Sequence, residues 1–454
     1  MKTGLNHAVR VTVAALSIVL GLSAAEPAAA QCPGDVILTG NVNGNDLAEL
    51  LATWGTNGQG GVVTDLNSDG IVNGADLALV LSGWGPCPPV ITSVLPSMGP
   101  ASGGTPIRVT GNHFSSPATV TLGGVSATNV QVVNATTITA VTPAVPVGSV
   151  DIVVSVGGRT GIAANEFTFN EVVLGTVKAW GLNNEGQCNV PAKLGPCNAI
   201  AAGYYHTVAL RTDGIVRTWG SNYYGQCSVP TDLGPCIAIA SGAYHTIALR
   251  TDGTVRAWGQ NSSGQCNVPA DLGPCTAIAG GGFHTIALRD DGTVRAWGNN
   301  HSGQCAIPSD LGQCTAIAGG GYHTIALRTA GTASALGDNY FGQSTVPAAL
   351  GPCTAIAGGG YHTIALRADG TVRTWGAGTT NGDSNWHFGQ SIVPADLGQC
   401  TAIAGGDFHT VALRTDGTVR AWGSNYSGQC AIPSDLGQCT AIAAGWYHTI
   451  AIQR

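Results

Sequence analysis

Charge is what this chain has least of. Only 9% of its 454 residues are charged, and 18 basic side chains against 25 acidic ones leave a formal net charge of −7. A protein that neutralises a phosphate backbone needs clustered Lys and Arg, so composition argues against a nucleic-acid partner. Long apolar runs are missing too. Beyond residue 30 nothing approaches the ~20 continuous apolar residues of a membrane-spanning helix. Also missing are a Gly-x-Ser-x-Gly elbow, a His-Glu-x-x-His helix and a phosphate loop, and the sequence offers no case for an enzyme.

The N-terminus is different in kind. Residues 1 to 30 carry Lys2 and Arg10, an apolar run from Val11 to Leu22, and the small residues Ala28-Ala29-Ala30. That is the pattern of a cleaved secretory signal. Cys32 follows closely, but Gln31 stands where a lipid-anchored protein needs a small residue, so a secreted or extracellular chain is expected, with surface association open. Fourteen cysteines in an exported chain are read as disulfides rather than thiols.

From residue 171 to 454 one phrase recurs seven times: an aromatic-His-Thr triplet followed by Trp-Gly. Trp180, Trp219, Trp258 and Trp297 fall 39 residues apart, Leu336 takes the fifth place, and Trp375 and Trp422 follow. A unit of this length cannot enclose a core alone and must bury its apolar face against its neighbours. Each reads as short strands with an Asp-Gly hairpin turn, as at Asp252-Gly253, and none shows a helical period. The chain stops after a His-Thr strand at Arg454, and an unpaired outer strand, Thr176 to Gly181, opens the array. Pairing the two ends closes a ring, and the expected fold is mainly β, a seven-bladed β-propeller.

Gly242 to Leu249 and Gly253 to Gln265 resemble the regulator-of-chromosome-condensation repeat, Gly-x-x-His-[Ser/Thr]-x-Ala-Leu…Gly-x-Val-x-x-Trp-Gly-x-Asn-x-x-Gly-Gln. The Val-Pro-Ala and Ala-Ile-Ala-Gly-Gly segments are most similar to secreted bacterial members, a propeller-type β-lactamase inhibitor among them. The resemblance implies the fold and leaves the partner open. The fifth unit departs from it, with Ala330, Ser334 and Leu336 in place of Asp, Arg and Trp.

Two smaller modules precede the array. Residues 31 to 87 hold a duplication, Asn43-Gly44-Asn45-Asp46-Leu47 recurring as Asn73-Gly74-Ala75-Asp76-Leu77. Leu47, Leu50, Leu51 and Trp54, and Leu77, Val80, Leu81 and Trp84, follow helical spacing, so each copy is a loop leading into an amphipathic helix. In the second loop Asp65, Asn67, Asp69, Asn73 and Asp76 take positions 1, 3, 5, 9 and 12 around Gly70, with a carbonyl from Ile71. This is an oxygen set for Ca²⁺. In the first loop Ile37 and Thr39 displace ligands, leaving Asp35, Asn43 and Asp46. The rival reading is a pair of Asx-rich helix caps without metal. The pair is similar to a type-I dockerin, which implies a cohesin-like partner. Cys32 and Cys87 bracket it as a disulfide. Residues 88 to 170 resemble an immunoglobulin-like IPT/TIG domain through Ile91 to Pro96, Gly103 to Pro106, Val109 to Phe114 and Phe167 to Phe169, with a spacer role implied; His113 is assigned no ligand role.

Within the repeats, His206, His245, His284, His323, His362, His409 and His448 are copied into every unit, which suits a hydrogen-bond frame better than a catalyst. Cys-x₈-Cys pairs at Cys188/Cys197, Cys227/Cys236, Cys266/Cys275, Cys305/Cys314 and Cys430/Cys439 are expected to be disulfides. Ser344 and Ser391 leave Cys353 and Cys400 as thiols. The residue before each histidine is aromatic (Tyr205, Tyr244, Phe283, Tyr322, Tyr361, Phe408, Tyr447) and forms either a ring on one face or packing between blades. The Asn loops vary: Tyr223-Tyr224, Tyr340-Phe341, Trp386-His387-Phe388 in an eight-residue insertion, and Tyr426. Constant framework with variable loops is how a repeat scaffold carries a binding surface. The expectation is a non-enzymatic propeller that binds a protein, with a glycan-binding accessory component of a polysaccharide-processing assembly as the alternative.

Overall fold

The computed structural model describes residues 35–36, 41–57, 59–60, 62–83, 85–170, 175–380 and 386–454. The proposed signal segment, Cys32, Ile37, Thr39 and Trp84 lie outside them. The chain divides into two compact units, one within residues 20–172 and one within 173–454.

In the first unit, helix α1 (Gly44–Ala52) and helix α2 (Gly74–Gly83) are the two expected copies. Each starts the same way. Asn43 accepts from Asn45 N while Asp46 accepts from Asn43 N, and Asn73 accepts from Ala75 N while Asp76 accepts from Asn73 N. These reciprocal caps satisfy amides that a helix start leaves unpaired. Val36, Val42, Leu50, Val72 and Val80 form the core, with Leu47, Leu66 and Leu77 packed on it. The apolar stripes are wider than this core, and Leu51, Trp54 and Leu81 stay exposed. Cys87 is disulfide-bonded.

Residues 90 to 170 form two facing antiparallel sheets, one of four strands and one of five, the larger edged by a short parallel pair. Alternate residues of both, among them Ile107, Val109, Leu122, Ile152, Val154, Phe167 and Phe169, meet in a single core, as sandwich packing requires.

The second unit holds seven three-stranded antiparallel sheets among the described residues. Six are consecutive in sequence, for example Cys236–Ser241, His245–Arg250 and Val255–Gly259. The seventh joins the two ends: the opening strand Thr176–Gly181 pairs with the last strand His448–Gln453, which pairs with Cys439–Ala444. Neighbouring sheets share apolar clusters. Val208, Leu210 and Val216 of one meet Leu233, Cys236, Ala248 and Trp258 of the next.

The recurring His, Thr and Trp explain one another. Thr207 Oγ1 donates to Gln187 O at 2.8 Å, and Trp219 Nε1 donates to the same carbonyl at 2.9 Å. A hydroxyl has one proton to give. The histidine Nε2 that meets each such threonine must therefore donate, which leaves Nδ1 unprotonated. His206 bonds Thr246 of the next sheet at 3.1 Å, and the pattern continues through His245–Thr285, His284–Thr324, His323–Thr363, His362–Thr410 and His409–Thr449. His448 then bonds Thr207 at 3.2 Å, and the circuit closes. Each imidazole packs closely against a glycine three residues earlier. A Cβ at Gly203 or Gly242 would overlap the His206 or His245 ring.

Candidate functional site

The inner strands of all seven sheets line one cavity, which is therefore a channel along the axis of the ring. At one end of it the seven pre-histidine aromatics form a collar. Successive ring centroids are 6.3, 6.3, 6.1, 6.3, 5.9 and 6.4 Å apart from Tyr205 round to Tyr447. The remaining gap is bridged by Trp446, 5.3 Å from Tyr447 and 6.0 Å from Tyr205. Such centroid spacings are the range in which aromatic pairs attract. Phe408 is buried and the other six are half-buried, so the collar both packs the sheets and offers its outer edge to solvent.

The variable loops stand on this collar. Tyr224 packs on Tyr244, Phe341 on Tyr361, Trp386 on Tyr361 and Phe408, and Phe388 on Phe408 and Tyr426. His387 meets Phe341 edge-on and accepts from Gly378 N. Above them Tyr223, Tyr340 and Tyr426 are 86%, 84% and 75% exposed. The structure thus brings the two expected groups of aromatics onto one face. Part of the insertion, residues 381–385, lies outside the described residues.

The sequence reading missed a third group. Two residues before each histidine, four units carry Ala243, Gly282, Gly321 or Gly360, and the other three carry Tyr204, Asp407 and Trp446. All seven positions line the channel. Tyr204 and Trp446 stack at 3.6 Å with 8° between their planes. Burial pushes the Asp407 carboxyl up to about 8, with the Trp446 indole drawing it partly down. The indole faces that carboxyl without completing a hydrogen bond, and Asp407 Oδ2 and Trp446 Nε1 are both left without a partner. The signal was present in the sequence as three large or charged side chains at a position otherwise kept small.

Burial holds the imidazoles neutral, with help from neighbouring histidines at several of them: His206, His284, His362 and His409 fall to about 3 and His245, His323 and His448 to about 4. All seven make the same bond, which favours the frame over a catalyst.

The five expected propeller disulfides are a correction. Cys188, Cys197, Cys227, Cys236, Cys266, Cys275, Cys305, Cys314, Cys430 and Cys439 are thiols, as are Cys353 and Cys400. The two members of each pair do different jobs. The first caps its Asn loop: Cys227 Sγ donates to Ser221 O at 3.2 Å, and Cys188, Cys266, Cys305 and Cys430 do likewise. Where serine replaces it, Ser344 and Ser391 donate to the equivalent carbonyls, Asp338 O and Ala377 O. The second opens an inner strand and fills the apolar core between sheets, as Cys236 does, and Cys353 and Cys400 do the same with serine nine positions earlier. Burial pushes both kinds up, Cys227 to about 11 and Cys236 to about 12, which favours the thiol over the reactive thiolate.

In the second loop of the N-terminal module, Asp65 accepts from Asp69 N and Gly70 N, and Asp69 accepts from Ile71 N and from the Asn67 and Asn73 side-chain amides. Asn67, first, and then Ile71 N hold the Asp69 carboxyl below the usual range. Asp76 is buried, its oxygens taken by Leu66 N, Asn67 N and Asn73 N. It closes the loop. Asp65, Asn67, Asp69, Asn73 and the Ile71 carbonyl share this turn, each with an oxygen that accepts from a neighbouring amide, and it is the all-oxygen chemistry of the set that suits a hard cation.

Comparison with known proteins agrees with this architecture. A model described as "Regulator of chromosome condensation (RCC1) repeat" matches residues 198–226, 236–265, 275–304, 353–382 and 400–429. One described as "IPT/TIG domain" matches residues 89–170. The chain therefore carries RCC1-type repeats and an IPT/TIG domain. Prp20p from Saccharomyces cerevisiae is similar in structure, with 17% identity over 63% of this chain and 93% of that one and a TM-score of 0.53. Human WBSCR16 shows 19% identity over 61% of this chain and 99% of that one at 0.52. Yeast RCC1 (Prp20), solved with Kap60, shows 18% over 61% and 89%, also at 0.52. At these identities the likeness is one of fold. No curated protein sequence matches the chain.

Proposed function

From a chain that carries RCC1-type repeats in a ring of seven sheets, we propose a non-enzymatic, exported binding protein. The ring is a seven-bladed β-propeller, and its aromatic face takes a protein partner. The observation that carries this is the continuity of that face: collar and loop aromatics touch one another throughout, yet Tyr223, Tyr340 and Tyr426 stand in solvent. Contiguous exposed aromatic surface is costly to leave in water and is where interfaces concentrate their energy. Prp20p is described with binding to Gsp1p and histones and yeast RCC1 as bound by Kap60, so proteins similar in fold have protein partners. With 9% charge and a net −7, the partner here is met through aromatic rather than ionic contact.

The N-terminal module is read as a dockerin-like tether that binds Ca²⁺ through Asp65, Asn67, Asp69, Ile71 and Asn73, braced by Asp76, and docks on a cohesin-like domain. Bound calcium would supply positive charge that orders these oxygens. The test of the main reading is affinity capture from the native extracellular fraction with wild type and a Tyr223→Ala/Tyr340→Ala variant. Loss of capture at unchanged Tm supports it, and undiminished capture sinks it. The exposed tyrosine rings also suit the flat faces of sugars, so a glycan array run in parallel tests the polysaccharide-assembly reading.

A further inference from the structure

One corner of the channel is built unlike the rest. Asp407, Trp446 and Tyr204 come from three consecutive sheets, the last reached only across the closure of the ring. Asp407 is 4% exposed and lines the channel, and its Oδ2 has no hydrogen-bond partner. Its Oδ1 occupies the space over Gly360 that a Cβ there would fill. Beside it the Trp446 and Tyr204 rings form a stacked pair. Among the described residues that line the channel there is no Lys, Arg or His. A buried carboxylate with no countercharge is costly in a folded protein. The Trp446 indole turns its N–H edge to the carboxyl, and the outer faces of the stacked pair are left for a cation that the carboxylate draws into the corner.

We propose that this corner is a binding site for an organic ammonium group, carried by a small alkylamine or by a lysine side chain, seated on the Asp407 carboxylate beside the Tyr204–Trp446 pair. The proposal does not rest on the protein-binding reading, since it concerns the channel rather than the outer loops. The groups that face Asp407 are the Trp446 indole and the phenols of Tyr204, Tyr205, Tyr322, Tyr361 and Tyr447, each phenol pushed up by burial first and by the Asp407 charge among its further causes. None of them supplies a positive charge. With its carboxyl at about 8, Asp407 holds its proton at neutral pH, and an arriving ammonium displaces that proton into solvent. Binding therefore tightens as pH rises.

The experiment is calorimetric titration of the full chain with n-butylammonium at pH 7 in two buffers of different ionisation enthalpy, and again at pH 9. A carboxyl at about 8 predicts release of about 0.9 proton per ammonium at pH 7 and roughly tenfold tighter binding at pH 9. Asp407→Asn should abolish binding at unchanged or raised Tm, and Trp446→Leu should weaken it. Absence of binding at pH 9, affinity independent of pH, equal binding of the neutral butyramide, or an Asp407→Asn variant that binds as well would each overturn the proposal. A peptide with a single lysine, run as a competitor, separates the sources: displacement assigns the site to a lysine side chain, and butylammonium binding without displacement assigns it to a free amine.

Discussion

Acid should dismantle the ring, and the histidine circuit sets where. Each of the seven imidazoles is fully buried, donates from Nε2 to a threonine, and has no partner at Nδ1. A second proton would have to sit at Nδ1 against a glycine backbone. With folded values of about 3 to 4 and an unfolded value of about 6.5, the folded state binds fewer protons throughout the window between them. These groups are depressed, so the stability they contribute is complete above pH ~6.5 and is lost as pH falls toward 4. At pH 5.5 each unfolded histidine draws the equilibrium toward unfolding by ~1.4 kcal/mol, and seven together by ~10 kcal/mol. That is as large as the whole stability of a typical domain, ~5 to 15 kcal/mol. The expected midpoint of unfolding lies between about pH 4.5 and 5.5, with close to seven protons taken up. Tryptophan fluorescence would follow it, because Trp180, Trp219, Trp258, Trp297, Trp375 and Trp422 all donate to Gln carbonyls between sheets. Potentiometric titration would count the protons. A ring whose tertiary signal survives to pH 4, where the same arithmetic gives over 20 kcal/mol, would refute the neutral, single-tautomer assignment.

Three further outcomes follow from single contacts. Leu336 leaves Gln304 O with the Thr324 hydroxyl but no indole, so Leu336→Trp should add a hydrogen bond of ~1 kcal/mol and raise Tm by about 2 °C; a lower Tm in a calorimetric scan would show that the site cannot admit the ring. Cys227→Ser should fall within ~0.5 kcal/mol of wild type because Ser344 already does that job, whereas Cys236→Ser should cost ~1 to 3 kcal/mol by placing a hydroxyl in the core between sheets. Alkylation of unfolded protein without reductant should label all twelve propeller cysteines, and unlabelled pairs would restore the disulfide assignment. Asp69→Ala should abolish calcium heat in titration of the whole chain, while Asp35→Ala should leave most of it, and a wild type without heat defeats the calcium reading.

Much of the fold was legible because a repeat states its own equivalences. The Asp-Gly turns, the Trp-Gly strand ends and the alternating His-Thr strands are local patterns, and the half-unit left at each end implied the pairing of Thr176–Gly181 with His448–Gln453 that the structure shows. The aromatic face was legible for the same reason: residues at one repeat position must share one level of the ring. The constant Cys-x₈-Cys spacing does not mark a bond, because Cys227 and Cys236 answer to different neighbours, one a loop carbonyl and the other a core shared with the adjacent sheet.

By itself the sequence determined which side chains are equivalent, which alternate inward, and that the array has to close. Tertiary structure alone decided what meets across that closure. His448 finds Thr207 241 positions away, and Trp446 stacks on Tyr204 only because the last sheet lies against the first. Periodicity cannot mark such a site, because it is made where three units break the pattern together. Its chemistry comes from burial: in water Asp407 would be an ordinary carboxylate, and inside the channel it holds its proton to about pH 8 because nothing beside it carries the opposite charge.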